Sequence, residues 1–205
     1  SSIPVQLRSP PVLGKAASQR FLERCESWLL GRVDSIVCSA GLSNYVSERV
    51  PGVRVREWAF PAHERAPDHE GAVLRRTHGI PEDAPVLVYA GNFEAYQGLE
   101  AFLDALPAVA LEVPDVRLVL VGGEGDSTLS VEHRVQALGL ADRVTVLPRL
   151  PRQQMPRHLA LADVLVLPRA HGENLPLKYF DYLAAGRPIV ASGDAVSAVG
   201  ELPGW

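Results

Sequence analysis

Apolar residues in this chain gather in short runs separated by stretches of three-to-four-residue spacing. The runs at 35–39, 85–90, 116–121, 143–147, 163–167 and 188–191 read as strands. Several are apolar at successive rather than alternate positions: Val86-Leu87-Val88-Tyr89, Leu118-Val119-Leu120-Val121 and Val164-Leu165-Val166-Leu167. That is the mark of a parallel sheet covered on both faces. Helical spacing appears over 18–30 (Phe21, Leu22, Cys25, Trp28, Leu29), with Gly31 placed to end the helix. It appears again over 97–113 (Leu99, Phe102, Leu103, Leu106, Ala110, Val113), where Pro107 predicts a kink or break. Shorter helices fit 129–138, 152–161 and 177–185. Strand–helix alternation of this kind predicts a doubly wound α/β sheet.

The pattern thins over 61–84, where Pro61, Pro67, Asp68, His69 and Glu70 make a polar stretch suited to a linker. Before it there is room for a helix, the strand at 35–39, a short helix and a further strand at 53–59, too little to close a sheet. The expected organisation is therefore a partial α/β segment at 1–60, a linker at 61–84, and a Rossmann-like domain over 85–205.

Composition narrows the function classes. The chain has 205 residues, 47% of them apolar, and a net charge of −4. That balance argues against a protein that grips nucleic acid by its phosphates. Cys25 and Cys38 lack metal or redox spacing, and read as two reduced core thiols rather than a disulfide. No apolar run reaches the roughly 18–20 residues of a membrane span. Ser1-Ser2-Ile3-Pro4 has neither the basic lead nor the apolar stretch of a signal peptide. A cytoplasmic protein is expected, with peripheral membrane attachment left open.

In an open parallel sheet, ligands bind beyond the carboxyl ends of the strands. The loops at 91–97, 122–127, 148–153 and 168–176 are therefore the candidates, and the last is the richest. Pro176 suits a first helical turn, and the preceding loop would offer free N–H groups at the positive helix end. Lys178 lies in that turn, and Asp181 follows three residues later on the same face. With Arg169, Glu173 and Arg187, the segment is net positive by one. Donors for a diphosphate and a carboxylate for a vicinal diol are thus available. On spacing alone, a solvated surface Lys/Asp pair is an equal reading.

The residues themselves resemble a known pattern. Glu173, seven intervening residues, Asp181 and then Ala185-Gly186-x-Pro188 resemble the Glu-x7-Glu signature of retaining glycosyltransferases of the GT-B fold. Pro176, Lys178, Asp181, Tyr182, Ala184, Gly186 and Pro188 are similar to the family 4 form of that motif. The similarity extends through Tyr89-Ala90-Gly91-Asn92-Phe93, Tyr96-Gln97-Gly98, Val121-Gly122-Gly123-Glu124-Gly125 and Leu147-Pro148-Arg149.

The resemblance implies a GT-B donor-binding half preceded by the tail of an acceptor half, with closing helices beyond Trp205. It implies sugar transfer from a nucleoside-diphosphate sugar to a hydroxyl of a glycan, lipid-linked or small-molecule acceptor, with retention. The chain alone would then transfer poorly. Glu173 would face the sugar, Asp181 would hold the ribose, and Lys178 with the Asn174–Leu175 backbone would hold the pyrophosphate. Gly91, Asn92, Gly122 and Arg149 would line the nucleotide pocket. Catalysis would rest on Glu173 and Lys178. No Asp-x-Asp metal motif occurs, and neither a metal nor an organic cofactor is expected. Two departures matter: Asn92 and Gln97 stand where many members carry Arg and Lys, leaving more of the diphosphate charge to Lys178. Asp181 is also one methylene shorter than Glu.

Other signals are thinner. Gly123-Glu124-Gly125 reads as a tight turn, His171 as a loop residue, and Tyr179 and Phe180 as core. A 2-epimerase-like enzyme of the same architecture and a non-catalytic nucleotide-binding module are the competing readings.

Overall fold

A computed structural model describes residues 15–38, 42–58, 64–168 and 176–192. Two compact units divide the chain at Phe60/Pro61. In the first, α1 (Lys15–Leu30) leads into β1 (Ser35–Cys38), and α2 (Ser43–Arg49) into β2 (Arg54–Glu57). The two strands pair in parallel, Ser35 opposite Arg54 and Cys38 opposite Glu57. Within this unit Arg49 stacks over Tyr45, whose hydroxyl donates to Glu26 at 2.5 Å. The apolar stripe of α1 leaves Phe21, Trp28 and Leu29 exposed. Cys25 and Cys38 are free thiols, partly exposed rather than the core residues expected. Two short strands offer too little surface to bury them.

The second unit carries the sheet. Its elements are α3 (Asp68–Thr77), β3 (Val86–Ala90), α4 (Leu99–Glu112), β4 (Arg117–Gly123) and α5 (Gly125–Ala137). They continue through β5 (Val144–Pro148), α6 (Met155–Leu159), β6 (Val164–Leu167), α7 (Lys178–Ala185) and β7 (Ile189–Ala191). Short 3₁₀ turns stand at Ala95–Gln97 and Arg152–Gln154. All five strands run parallel in the order β5-β4-β3-β6-β7, the Rossmann-like α/β sheet expected. Val86, Val88, Val119, Leu120, Leu165 and Leu167 are almost fully buried, which explains runs without alternation. On one face Leu99, Leu103 and Leu106 of α4 pack with Val131 and Val135 of α5 against Leu118 and Leu120.

Three expectations are corrected here. Residues 68–77, read as part of a linker, form α3, with Asp68 and Glu70 in its first turn and Arg75 and Arg76 in its last. That charge order favours the helix dipole. The helix is fastened by Arg75, whose guanidinium donates to the Leu161 carbonyl at 2.6 Å and to Asp163 at 2.9 Å. Gly71 lets α3 approach α6 closely: a β-carbon there would lie 2.5 Å from the Ala160 carbonyl carbon. Second, α4 continues unbroken past Pro107, held by three buried leucines on its inner face. Third, Gly123-Glu124-Gly125 is the junction at which β4 passes into α5, which begins at Gly125 rather than 129. Among the described residues, no helix is long and apolar enough to cross a membrane.

Candidate functional site

The order in which strands are added reverses at β3: β4 and β5 lie on one side of it, β6 and β7 on the other. A crevice opens beyond the carboxyl ends of strands at such a switch point. Tyr182 of α7 joins the two strands there. Its buried hydroxyl accepts from the Ala90 N–H at 2.8 Å and lies 3.3 Å from the Ala90 and 3.4 Å from the Val166 carbonyl oxygens. Burial, with the Asp181 charge adding to it, pushes the Tyr182 phenol far up, so it stays protonated.

Lys178, the first residue of α7, reaches over the end of β3. Its Nζ donates to Gln97 Oε1 at 2.9 Å and to Tyr89 Oη at 3.1 Å, and stands 4.2 Å from the Tyr89 ring centroid. The Tyr89 hydroxyl in turn donates to the Asn92 carbonyl at 2.7 Å. Burial holds the Tyr89 phenol well above its ordinary range, so this hydroxyl too remains a donor. Gln97 is buried, and its Nε2 donates to Asn92 Oδ1 at 2.9 Å, while Asn92 Nδ2 donates to Tyr96 Oη at 3.2 Å.

Two glycines make room. A β-carbon on Gly91 would lie 2.5 Å from Lys178 Nζ, and one on Gly122 would lie 2.8 Å from the Gly91 carbonyl carbon. Gly91 N–H donates to Val121 at 2.8 Å, so the ends of β3 and β4 are clasped. Gly122 has φ 124, a conformation that favours glycine.

Lys178, Gly91, Asn92 and Gly122 are thus brought together. Asp181 lies one turn further along α7, partly buried beside Tyr182. Arg149 stands apart at the end of β5, exposed, its guanidinium 3.3 Å from Glu124 and its N–H donating to Gly123 at 3.0 Å. Arg187 leaves the site: it follows α7 and pairs with Asp68 at 2.8 Å, so its charge does not add to that of Lys178. Glu173, Asn174, Leu175 and His171 lie outside the described residues. Tyr179 is buried as expected and Phe180 partly so. Sequence reasoning missed Tyr89 and Tyr182 as site supports. The available signal was a tyrosine inside a fully apolar strand or helix, whose hydroxyl must find a partner when buried.

Residues 72–198 match the family model for glycosyl transferases group 1. The chain is 34% identical over 143 residues to the GDP-mannose-dependent alpha-(1-6)-phosphatidylinositol monomannoside mannosyltransferase of Mycolicibacterium smegmatis, covering 65% of this chain and 37% of that protein. It is 28% identical over 147 residues to the alpha-D-kanosaminyltransferase of Streptomyces kanamyceticus, covering 70% of this chain and 37% of that protein. Its structure resembles sucrose-phosphate synthase from Thermosynechococcus elongatus, with a TM-score of 0.72 and 21% identity over 98% of this chain and 51% of that one. HepE of Anabaena, solved with UDP-glucose, gives a TM-score of 0.73 at 18% identity over 91% of this chain and 53% of that one. The chain therefore spans little more than a third of these two sequence relatives and about half of the solved structures. Its parallel sheet is that of the GT-B glycosyltransferases, and the chain belongs to the glycosyl transferases group 1 family.

Proposed function

We propose that this chain is the donor-binding half of a retaining, family 4 type glycosyltransferase that takes its sugar from a nucleoside-diphosphate sugar. The observation that carries the reading is the ammonium of Lys178, held over a glycine at the switch-point end of β3. Such a group lies where a ligand's phosphates would enter, and the glycines at the two strand ends, Gly91 and Gly122, present bare backbone there. The names of two relatives support the donor class, one using GDP-mannose and one solved with UDP-glucose. In this reading Glu173 faces the transferred sugar, and Asn174 and Leu175 give backbone N–H groups to the diphosphate. Asp181 accepts from the ribose hydroxyls, and Arg149 lines the nucleotide pocket with Gly91, Asn92 and Gly122.

The acceptor hydroxyl, from a glycan, lipid-linked or small molecule, attacks the face from which the diphosphate departs, and its proton passes to the leaving phosphate. Negative charge grows on that phosphate as the glycosidic bond breaks. A unit charge about 4 Å away is worth about 4 kcal/mol at an effective dielectric near 20, so Lys178 is a large contributor. The reaction needs no metal or organic cofactor in this scheme, and takes place in the cytoplasm or at the cytoplasmic face of a membrane.

The test is a donor titration in the full-length enzyme, with product anomeric configuration read by NMR. Lys178→Ala should lower kcat more than it raises KM, because its contact strengthens in the transition state. Asp181→Asn should raise donor KM with less effect on kcat, because ribose contacts do not change during reaction. Near-normal parameters in both variants would retire the site assignment, an inverted product would retire retention, and loss of donor binding in EDTA would retire metal independence.

A further inference from the structure

Gln97 is nearly fully buried in the 3₁₀ turn that follows β3, and both polar atoms of its side chain have protein partners. Oε1 accepts from Lys178 at 2.9 Å, and Nε2 donates to Asn92 Oδ1 at 2.9 Å. Asn92 is oriented in its turn by Nδ2 donating to Tyr96 Oη at 3.2 Å. Each amide therefore presents its oxygen toward Lys178 and its nitrogen away from it, and the chain of donors runs one way. The turn that carries Gln97 is itself closed by backbone bonds, Gln97 N–H to Glu94 at 2.9 Å and Gly98 N–H to Ala95 at 3.2 Å. A buried polar side chain satisfied in this way is a rigid seat.

We infer that Gln97 is a positioning residue: its carbonyl fixes the Lys178 ammonium at the point where the donor's second phosphate arrives, and Asn92 fixes the carbonyl. This rests on the reading of Lys178 as the diphosphate cation. A neutral acceptor holds the ammonium without cancelling its charge, as a carboxylate at 97 would. It also restrains a side chain with four rotatable bonds, whose ordering would otherwise be charged to ligand binding.

The test compares UDP with UMP, and GDP with GMP, by calorimetry on the full-length protein and its variants. The pair with the tighter diphosphate is used. Gln97→Met keeps the length and removes the acceptor. It should lower diphosphate affinity about tenfold, the loss of part of one charged hydrogen bond, and leave monophosphate affinity unchanged. Gln97→Glu should restore the seat but pair the ammonium, and should also lose diphosphate affinity. Equal losses of mono- and diphosphate in Gln97→Met would show a merely structural role and overturn the proposal. So would a wild-type ratio in Gln97→Met when Lys178→Ala abolishes it. If Lys178→Ala itself leaves the ratio intact, the diphosphate assignment fails, and the positioning role with it.

Discussion

Gly122→Ala adds one methyl group at the tightest point of the site, and its cost can be worked from the geometry. The new β-carbon would lie 2.8 Å from the Gly91 carbonyl carbon, nearer still to its oxygen, and 3.3 Å from its nitrogen. Gly91 has little freedom to yield. Its N–H is bonded to Val121, and the preceding Ala90 is held by the buried Tyr182 hydroxyl. Alanine at φ 124 carries backbone strain of about 1–3 kcal/mol. Overpacking against fixed backbone adds about 1–3 kcal/mol. The expected loss is therefore about 2–6 kcal/mol, or roughly 6–18 °C in Tm at about 3 °C per kcal/mol for a chain of this size. Gly139→Ala is the control: its φ is 68, and nothing lies within 4 Å of a β-carbon there. That variant has only the backbone cost. Urea denaturation of both variants, with UDP and GDP titrations, separates strain from collision. If Gly122→Ala unfolds no earlier than Gly139→Ala and binds nucleotide as the wild type does, the clasp between the ends of β3 and β4 is not what shapes the crevice.

Three further outcomes are expected. Tyr182→Phe leaves the Ala90 N–H buried without its acceptor and should cost about 1–3 kcal/mol by urea titration with little change in m. Gly71→Ala should destabilise the second unit by at least about 1 kcal/mol through collision with Ala160, measured as a lower Tm; a neutral result would return α3 to the status of a detachable linker. Burial lowers the His158 pKa below its ordinary 6.5, outweighing the hydrogen bond to Gln154, so the folded state holds the neutral ring. Stability should then be full above pH 6.5 and fall as pH drops through the folded pKa, and His158→Gln should flatten that limb of the denaturation profile.

The sheet was legible because its strands are buried on both faces, and continuous apolar runs such as Leu118–Val121 have few other uses. Helix α3 was not, because its sequence offers only Ala72, Val73 and Leu74 as apolar residues. Its hold on the sheet comes from Arg75 reaching carbonyls at Leu161, Glu82 and Ala84, partners far along the chain or beyond a turn. Residue spacing cannot show such bonds. The site divided in the same way. Lys178, Gly91 and Gly122 could be placed because strand ends and a helix start have recognisable residues. Asn92 and Gln97 could be noted as missing charges, but not as supports for Lys178. That role depends on the 3₁₀ turn at Ala95–Gln97 folding the Gln97 amide inward.

The two described cations assigned to the donor are held in different ways, and the difference bears on what each can do. Lys178 is half-buried, with a tyrosine and a glutamine as hydrogen-bond partners and an aromatic ring beneath it. Removing water from such a group strengthens whatever it meets, because the local dielectric is low. Arg149 is largely exposed, and so is its partner Glu124. An exposed pair of this kind is worth about 0–1 kcal/mol, so a nucleotide can draw the guanidinium away from Glu124 at little cost. Lys178 is thus suited to a charge that must be in place when the bond breaks. Arg149 is suited to a contact made as the nucleotide arrives and weakened by salt, and the salt dependence of nucleotide affinity should fall more in Arg149→Ala than in Lys178→Ala.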